Sequence, residues 1–248
     1  MQRNKKQFAI AVFAAMLLLL ALIAVVGLAG KAEASALHQI MASYREGGAW
    51  ETPQSPPFPE NSAERLFLTG MESFVAADYD SAKGLFEEAQ DAPDSDPALP
   101  AYLPCYLNRC VYTLEGVGDM ELVSSTLDAM GKYPPLANDR ELLWQLMETV
   151  SFSPDVDTQA IAMMERYLAG HNNLEPATRA WLKNYVAMLL YYNEEYAASI
   201  RGFYDVQLAL ENAGDSPAVK AELQYAREYI ANTHYIFEDH ERTVALYQ

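Results

Sequence analysis

The residues that most often carry chemistry are few in this sequence, and their spacing matches no familiar site. The four histidines are His38, His171, His234 and His240. None belongs to a His-Glu-x-x-His motif or to a mixed cysteine and histidine pattern with metal-ligand spacing. His234 and His240 are six residues apart, so they would not share one face of a helix. The sequence therefore predicts no metal site.

Carboxylates are clustered along the chain, at Glu87-Glu88, at Asp94 and Asp96, at Glu194-Glu195, and at Glu238-Asp239 with Glu241. Glycoside hydrolases use carboxylates that face each other across a cleft, whereas these are sequence neighbours at expected turns and helix starts. Asp94-Ser95-Asp96 is too short for a calcium loop of the EF-hand kind. The sequence also lacks a Gly-x-Ser-x-Gly motif, a phosphate-binding glycine loop and a cysteine nucleophile motif. We therefore expect no catalytic residue, no cofactor and no enzymatic activity.

The two cysteines, Cys105 and Cys110, are five residues apart in a stretch that is predicted to be helical. This spacing turns their side chains away from each other on the helix surface, so a disulfide between them is geometrically poor. We interpret both as small apolar core residues.

The net charge of −17 is unevenly distributed, because Arg3, Lys5 and Lys6 precede the first acidic residue, Glu33. The chain beyond this basic flank carries a charge of about −20. Such an acidic surface repels phosphate backbones, so nucleic acid is not an expected partner.

Residues 8–30 contain no charged side chain, and a helix of this length crosses the ~30 Å core of a bilayer. The basic flank, residues 1–7, is expected in the cytoplasm, which places the remainder outside the membrane. Ala32-Glu33-Ala34 and Ala34-Ser35-Ala36 are candidate signal-peptidase sites, so a cleaved and secreted form stays open. We favour an uncleaved anchor because the apolar run is long for a signal peptide. The short flank is typical of bacterial exported proteins.

Residues 31–60 are predicted to form a juxtamembrane helix followed by a spacer. Leu37, Ile40, Met41 and Tyr44 recur at helical spacing. Gly47-Gly48 would end this helix, and the proline-rich stretch 52–59 cannot be helical. Asn61 or Ser62 would then cap the first helix of a domain that covers 61–248.

The clearest structural unit in that domain covers residues 66–89. Gly70 would allow close approach of two helices, Asp78-Tyr79 would start the second helix, and Ala82, Phe86 and Ala89 would form its buried stripe. The same turn and stripe recur along the chain, with anchors at Tyr79, Met120, Asp157, Tyr196 and His240. These anchors are 41, 37, 39 and 44 residues apart. The pattern resembles degenerate tetratricopeptide repeats, whose unit is about 34 residues.

The resemblance implies an all-α fold, an α-α superhelix of about five helical hairpins behind an N-terminal transmembrane helix. One hairpin cannot bury its apolar face alone, so neighbouring hairpins must cover it. In such stacks the first helices line a groove that binds a peptide. The implied groove residues are Asn108, Tyr112, Gln145, Asn184, Tyr191, Asn232 and Tyr235, together with Phe67, Met71, Phe74, Glu115, Thr149, Met188 and Glu228.

Asn108, Gln145 and Asn184 would occupy equivalent places, where side-chain amides can hydrogen-bond an extended peptide backbone and tyrosines supply contact area. The alternative is that these are tolerated polar positions and that several tyrosines belong to the core. The basic clamp with which some family members bind a carboxylate terminus is absent.

Two functions follow as hypotheses. The first is a membrane-anchored, extracytoplasmic module that binds a protein or peptide partner, with the N-terminal helix in the membrane. The second is the sensory input region of a diguanylate cyclase or histidine kinase signalling protein. The last repeat stops within its second helix, at Tyr247-Gln248, which favours a longer polypeptide. The sequence indicates neither the identity of the partner nor the oligomeric state.

Overall fold

The computed structural model describes residues 34–47, 50, 56–150 and 154–239. The predicted basic flank and membrane anchor, and the helix predicted after His240, lie outside the described residues. Within the described ranges, none of the helices combines the length and the apolar character that a membrane span requires.

The described residues fold into α-helices and one short 3₁₀ turn, Pro134–Leu136, and they contain no strand. The all-α prediction is therefore confirmed for this part of the chain. The helices are α1 (Ala36–Gly47), α2 (Ala63–Val75), α3 (Tyr79–Asp91), α4 (Leu99–Glu115), α5 (Met120–Lys132), α6 (Arg140–Met147), α7 (Pro154–Gly170), α8 (Pro176–Tyr192), α9 (Tyr196–Leu210) and α10 (Pro217–Ile236).

Side-chain caps fix several of the helix starts. Ser62, one of the two predicted caps, accepts a hydrogen bond from the backbone N–H of Arg65 at the start of α2. Asp78, Asp119 and Asp139 cap α3, α5 and α6 in the same way. These caps satisfy backbone donors that the first helical turn leaves without a partner.

The predicted starts at Tyr79, Met120 and Tyr196 are confirmed, because these residues open α3, α5 and α9. The predicted start at Asp157 is wrong, because α7 begins three residues earlier at Pro154. The buried stripe predicted for α7 is nevertheless present, and it consists of Ala160, Met164 and Tyr167.

Helices that are neighbours in sequence pack against each other, in the pairs α2–α3, α4–α5, α8–α9 and α9–α10. The first helices of successive units also pack on one another, in the pairs α2–α4, α4–α6 and α8–α10. The third unit is less regular: the short α6 packs on α4, whereas α7 packs on α5 and α8. The fold is thus helical-repeat-like, with one unit that departs from a simple hairpin.

Gly70 of α2 lies directly against the ring of Phe86 of α3. A Cβ atom at Gly70 would lie 2.5 Å from Cε1 of Phe86. Phe86 is fully buried, and its ring is 5.4 Å from the ring of Phe67. The role predicted for Gly70 is therefore confirmed, because the aromatic core between α2 and α3 has no room for a larger residue.

The predicted juxtamembrane helix, α1, is part of the helical core. Leu37 and Met41 are fully buried, and contacts within the chain group Ser35–Gln248 as one compact unit. The Arg45 guanidinium binds both carboxylate oxygens of Asp139 at 2.6 Å, and it also donates to the hydroxyl of Tyr102. The sequence placed the start of the helical domain at residue 61, whereas the packing includes α1 in it.

We predict opposite stability effects for two glycine substitutions in neighbouring helices. Gly70→Ala should lower the free energy of unfolding by about 1–3 kcal/mol, because the added methyl overpacks the site beside Phe86. Gly84→Ala should raise it by about 0.5–1 kcal/mol, because Gly84 lies within α3 and a Cβ there would meet nothing within 4 Å. Urea unfolding of the two variants measures both effects, and changes of the same sign would contradict the packing described.

Candidate binding groove

A cavity of about 640 Å³ lies between the first helices of successive units. We call it the groove. Its walls come from α4, α6, α8 and α10 and from the segment after α6, and the lining residues are Arg109, Tyr112, Arg140, Trp144, Met147, Glu148, Val150, Trp181, Asn184, Tyr185, Met188, Ala221, Glu222 and Tyr225. The volume lies in the range of about 300–1,000 Å³ that is usual for ligand sites.

The apolar part of the groove is mostly aromatic. The rings of Trp181 and Tyr185 are stacked on α8, with centroids 5.7 Å apart. The Tyr185 hydroxyl donates to the backbone carbonyl of Met147 at 3.0 Å, and the Tyr225 hydroxyl donates to the sulfur of Met188 at 2.9 Å. Burial raises the pKa of both phenols, so they stay protonated and act as donors. These bonds join α8 to α6 and α10 to α8.

Two ion pairs connect the groove helices. The Arg109 guanidinium on α4 lies 2.7 Å from the carboxylate of Glu148, just after α6. Arg140 on α6 pairs with Glu222 on α10. Burial raises the pKa of the Glu222 carboxyl, and this effect is partly offset by a hydrogen bond from Asn184 and by the charge of Arg140. The position of α6 is therefore tied electrostatically to α4 and to α10.

Asn184 lies at the centre of these contacts and is almost fully buried, with 2% of its surface exposed. Its Nδ2 donates at 3.0 Å both to the backbone carbonyl and to a carboxylate oxygen of Glu222. Its Oδ1 accepts no hydrogen bond from any described residue, and Nε of Arg140 donates none. An unpaired buried polar atom costs free energy, so the fold leaves this acceptor and this donor, both on residues that line the groove, without compensation.

Some of the predicted groove residues line the groove, and others are buried in the core. Tyr112 and Asn184 line the groove, as does Met188. The positions predicted for Phe67 and Met71 are wrong, because both side chains are fully buried in the core.

Asn108 is also fully buried, and its amide is engaged within the chain. Its Nδ2 donates to the Thr149 hydroxyl at 2.7 Å, and its Oδ1 accepts from the backbone N–H of Asp119 at 2.6 Å. Asn108 therefore fixes the turn before α5 and the end of α6, and it offers a ligand neither of these atoms.

The other predicted residues are not among the described residues that line the groove. Gln145 is half-buried on α6 and donates to Glu141, while the neighbouring Trp144 faces the groove. Tyr191 is half-buried, and its ring packs edge-on against Tyr196 and Tyr229. Asn232 and Tyr235 are exposed near the end of α10.

Sequence reasoning missed most of the aromatic wall, although a signal for it exists. Trp144 and Trp181 are 37 residues apart, and so are Met188 and Tyr225. This interval equals the spacing between two of the predicted repeat anchors, Met120 and Asp157. Equivalent positions on successive first helices therefore share one register, and a search at that interval would have found these pairs.

Two further groups of residues, the potential metal ligands and the cysteines, can be compared with the predictions from the sequence. No group of three or more histidine, cysteine or carboxylate side chains among them is placed to hold a metal ion. Cys105 and Cys110 are buried and not joined to each other, which confirms their interpretation as core residues. Burial raises the pKa of each thiol to about 12, so neither is a ready nucleophile at neutral pH.

No protein-family model matches the chain, and no curated protein has a sequence significantly similar to it.

We predict that two asparagines with the same expected role differ in their effect on stability. Asn108→Ala should lower the free energy of unfolding by about 2 kcal/mol, because it leaves Thr149 and the Asp119 N–H without their partner. Asn232→Ala should change it by less than about 0.5 kcal/mol, because the side chain is exposed on a helix. Chemical denaturation provides the measurement, and equal effects would contradict the buried role of Asn108.

Proposed function

We propose that this chain is a membrane-anchored, extracytoplasmic helical-repeat module that binds a protein or peptide partner in the groove. The observation that carries the proposal is the unpaired, buried Oδ1 of Asn184 in a cavity between successive first helices. The resemblance to tetratricopeptide repeats supports the same site, since their first helices line a peptide-binding groove.

An extended peptide matches the groups that the groove presents. Both atoms are covered in the described structure, so contact with a ligand requires the side chains to turn into the groove; a backbone N–H would then donate to Oδ1 of Asn184, and a backbone carbonyl would accept from Nε of Arg140. Each non-proline residue of a peptide carries one such donor and one such acceptor. Tyr112, Trp181 and Tyr225 would provide apolar contact area with little loss of side-chain entropy, as aromatic residues do at many interfaces.

The location outside the membrane rests on the sequence. The uncharged run 8–30 follows three basic residues and precedes an acidic domain, which is the charge order of a protein with a cytoplasmic N-terminus. An acidic exported domain suits neutral or cationic partners.

Site-specific photocrosslinking tests the proposal in cells that produce the full chain. p-Benzoylphenylalanine at Tyr112, in the groove, should give a crosslinked product of defined mass. The same amino acid at Leu208, which is 67% exposed on α9, is the matched control and should give none. Loss of the Tyr112 adduct in an Asn184→Leu background would place the partner at the unpaired acceptor. Equal crosslinking from both positions, or none from Tyr112, would contradict the proposal.

A second candidate function is sensory input to a signalling protein, and one contact favours it. Asp139 binds Arg45 of α1, whereas the adjacent Arg140 binds Glu222 in the groove. The cap residue and the first residue of α6 thus connect the groove to the helix that follows the predicted membrane segment. A ligand that alters the Arg140–Glu222 pair would change the contacts that hold α1.

Hydrogen exchange of the full chain tests this coupling. Glu222→Gln should change the exchange rates of the α1 amides by about threefold or more, as expected for a mutational coupling of about 0.5–2 kcal/mol. Lys220→Gln, also on α10 but in an exposed ion pair with Asp215, should leave them unchanged. Unchanged α1 exchange in Glu222→Gln would remove the support for the sensory hypothesis.

A further inference from the structure

A second cavity, of about 390 Å³, adjoins the groove. It is lined by Arg140, Glu141, Trp144 and Trp181. Three of these residues, Arg140, Trp144 and Trp181, also line the groove, so the two sites are contiguous. We call it the tryptophan cavity.

The indole of Trp144 is held at the surface, which forgoes the free energy that its burial would contribute. Trp144 is 45% exposed, although large apolar side chains are usually buried. Trp50, the third tryptophan of the chain, packs edge-on against Tyr44 of α1 instead. The face of an indole ring carries partial negative charge, so it attracts cations.

The charges around the tryptophan cavity reinforce this preference. Glu141 is exposed beside the indoles, and its carboxylate accepts a hydrogen bond from Gln145 at 3.2 Å, which orients it. The one cationic residue in this wall, Arg140, is already paired with Glu222. The strongly acidic chain adds a field of the same sign as Glu141.

We infer that the tryptophan cavity binds the guanidinium group of an arginine side chain of the peptide ligand. The planar guanidinium stacks on an indole face and donates hydrogen bonds to the Glu141 carboxylate. Lysine satisfies the charge but not the stacking, and therefore binds more weakly. This inference rests on the proposed function, because the arginine belongs to a peptide whose backbone occupies the groove.

Fluorine NMR of the full chain, labelled with 5-fluorotryptophan, tests the inference directly. The three tryptophans give three resonances, which Trp→Phe variants assign. The probes are blocked pentapeptides, acetyl-Gly-Gly-X-Gly-Gly-amide, in which X is arginine, lysine, citrulline, norleucine or glutamate. The arginine peptide should shift the Trp144 and Trp181 resonances in a saturable way and leave that of Trp50 in place. Citrulline, a neutral analogue of arginine of similar shape, should bind roughly tenfold more weakly, as expected for a cation–π site.

Two variants that remove the same charge distinguish arginine binding at this cavity from nonspecific attraction of a cation to an acidic protein. Glu141→Gln should weaken arginine binding roughly threefold and leave citrulline binding unchanged. Glu88→Gln removes the same charge at an exposed position on α3 and should have no effect. Equal binding of arginine and citrulline, equal effects of the two variants, or an equal shift of Trp50 would overturn the inference.

The outcomes also separate this inference from the proposed function. If the glutamate or norleucine peptide shifts Trp144 and Trp181 and the arginine peptide does not, the groove binds peptides and the arginine preference is wrong. If crosslinking from Tyr112 identifies a partner while no pentapeptide moves either resonance, the inference also fails and the function stands. If neither experiment detects binding, both fail.

Discussion

Mutual coverage of apolar helix faces is the interaction on which this fold depends. A single helix cannot bury its apolar stripe alone, and most of the described helices are covered by a sequence neighbour, by a helix of the next unit, or by both. Close approach is possible only where a side chain is missing, as at Gly70 against Phe86 and at Gly202 against Ala187. Because the first helices stack in one register, their outer positions form a continuous wall, and that wall is the groove.

Buried carboxylates order backbone segments that apolar packing alone does not hold. Glu64 accepts hydrogen bonds from the backbone N–H groups of Ser95 and Asp96, so one carboxylate orders the connection before α4. Burial alone would raise the pKa of Glu64, but these bonds outweigh it and lower the pKa below the ordinary value. Asp96 in turn accepts from the backbone N–H of Leu37 at the start of α1. Elements that are distant in sequence are thereby joined through charged side chains.

The sequence was sufficient where local signals decide the structure. An acidic residue before the second helix and apolar residues three and four apart located the starts at Tyr79, Met120 and Tyr196, because these signals are local in sequence. Asp78 and Asp119 cap their helices, whereas Glu195 makes no side-chain cap bond.

The sequence was insufficient where contacts between distant residues decide. The Arg45–Asp139 bond joins residues that are 94 positions apart in the sequence. No local sequence pattern indicates that α1 packs into the core. On α6 the sequence suggested Gln145 as a groove residue, whereas the adjacent Trp144 is the one that lines the groove. Nor does spacing distinguish a buried amide with partners, such as Asn108, from one with an unpaired oxygen, such as Asn184.

The shortness of α6 has a consequence for how this protein changes over evolutionary time. Eight residues are too few for a helix to be stable alone, so neighbours hold α6 through Asp139, through Arg140 and, just beyond its end, through Glu148. Replacement of Arg45 in α1, which does not line the groove, can therefore move Trp144 without altering any groove-lining residue. A remote substitution of this kind would change the shape of the groove while the residues that line it stay the same.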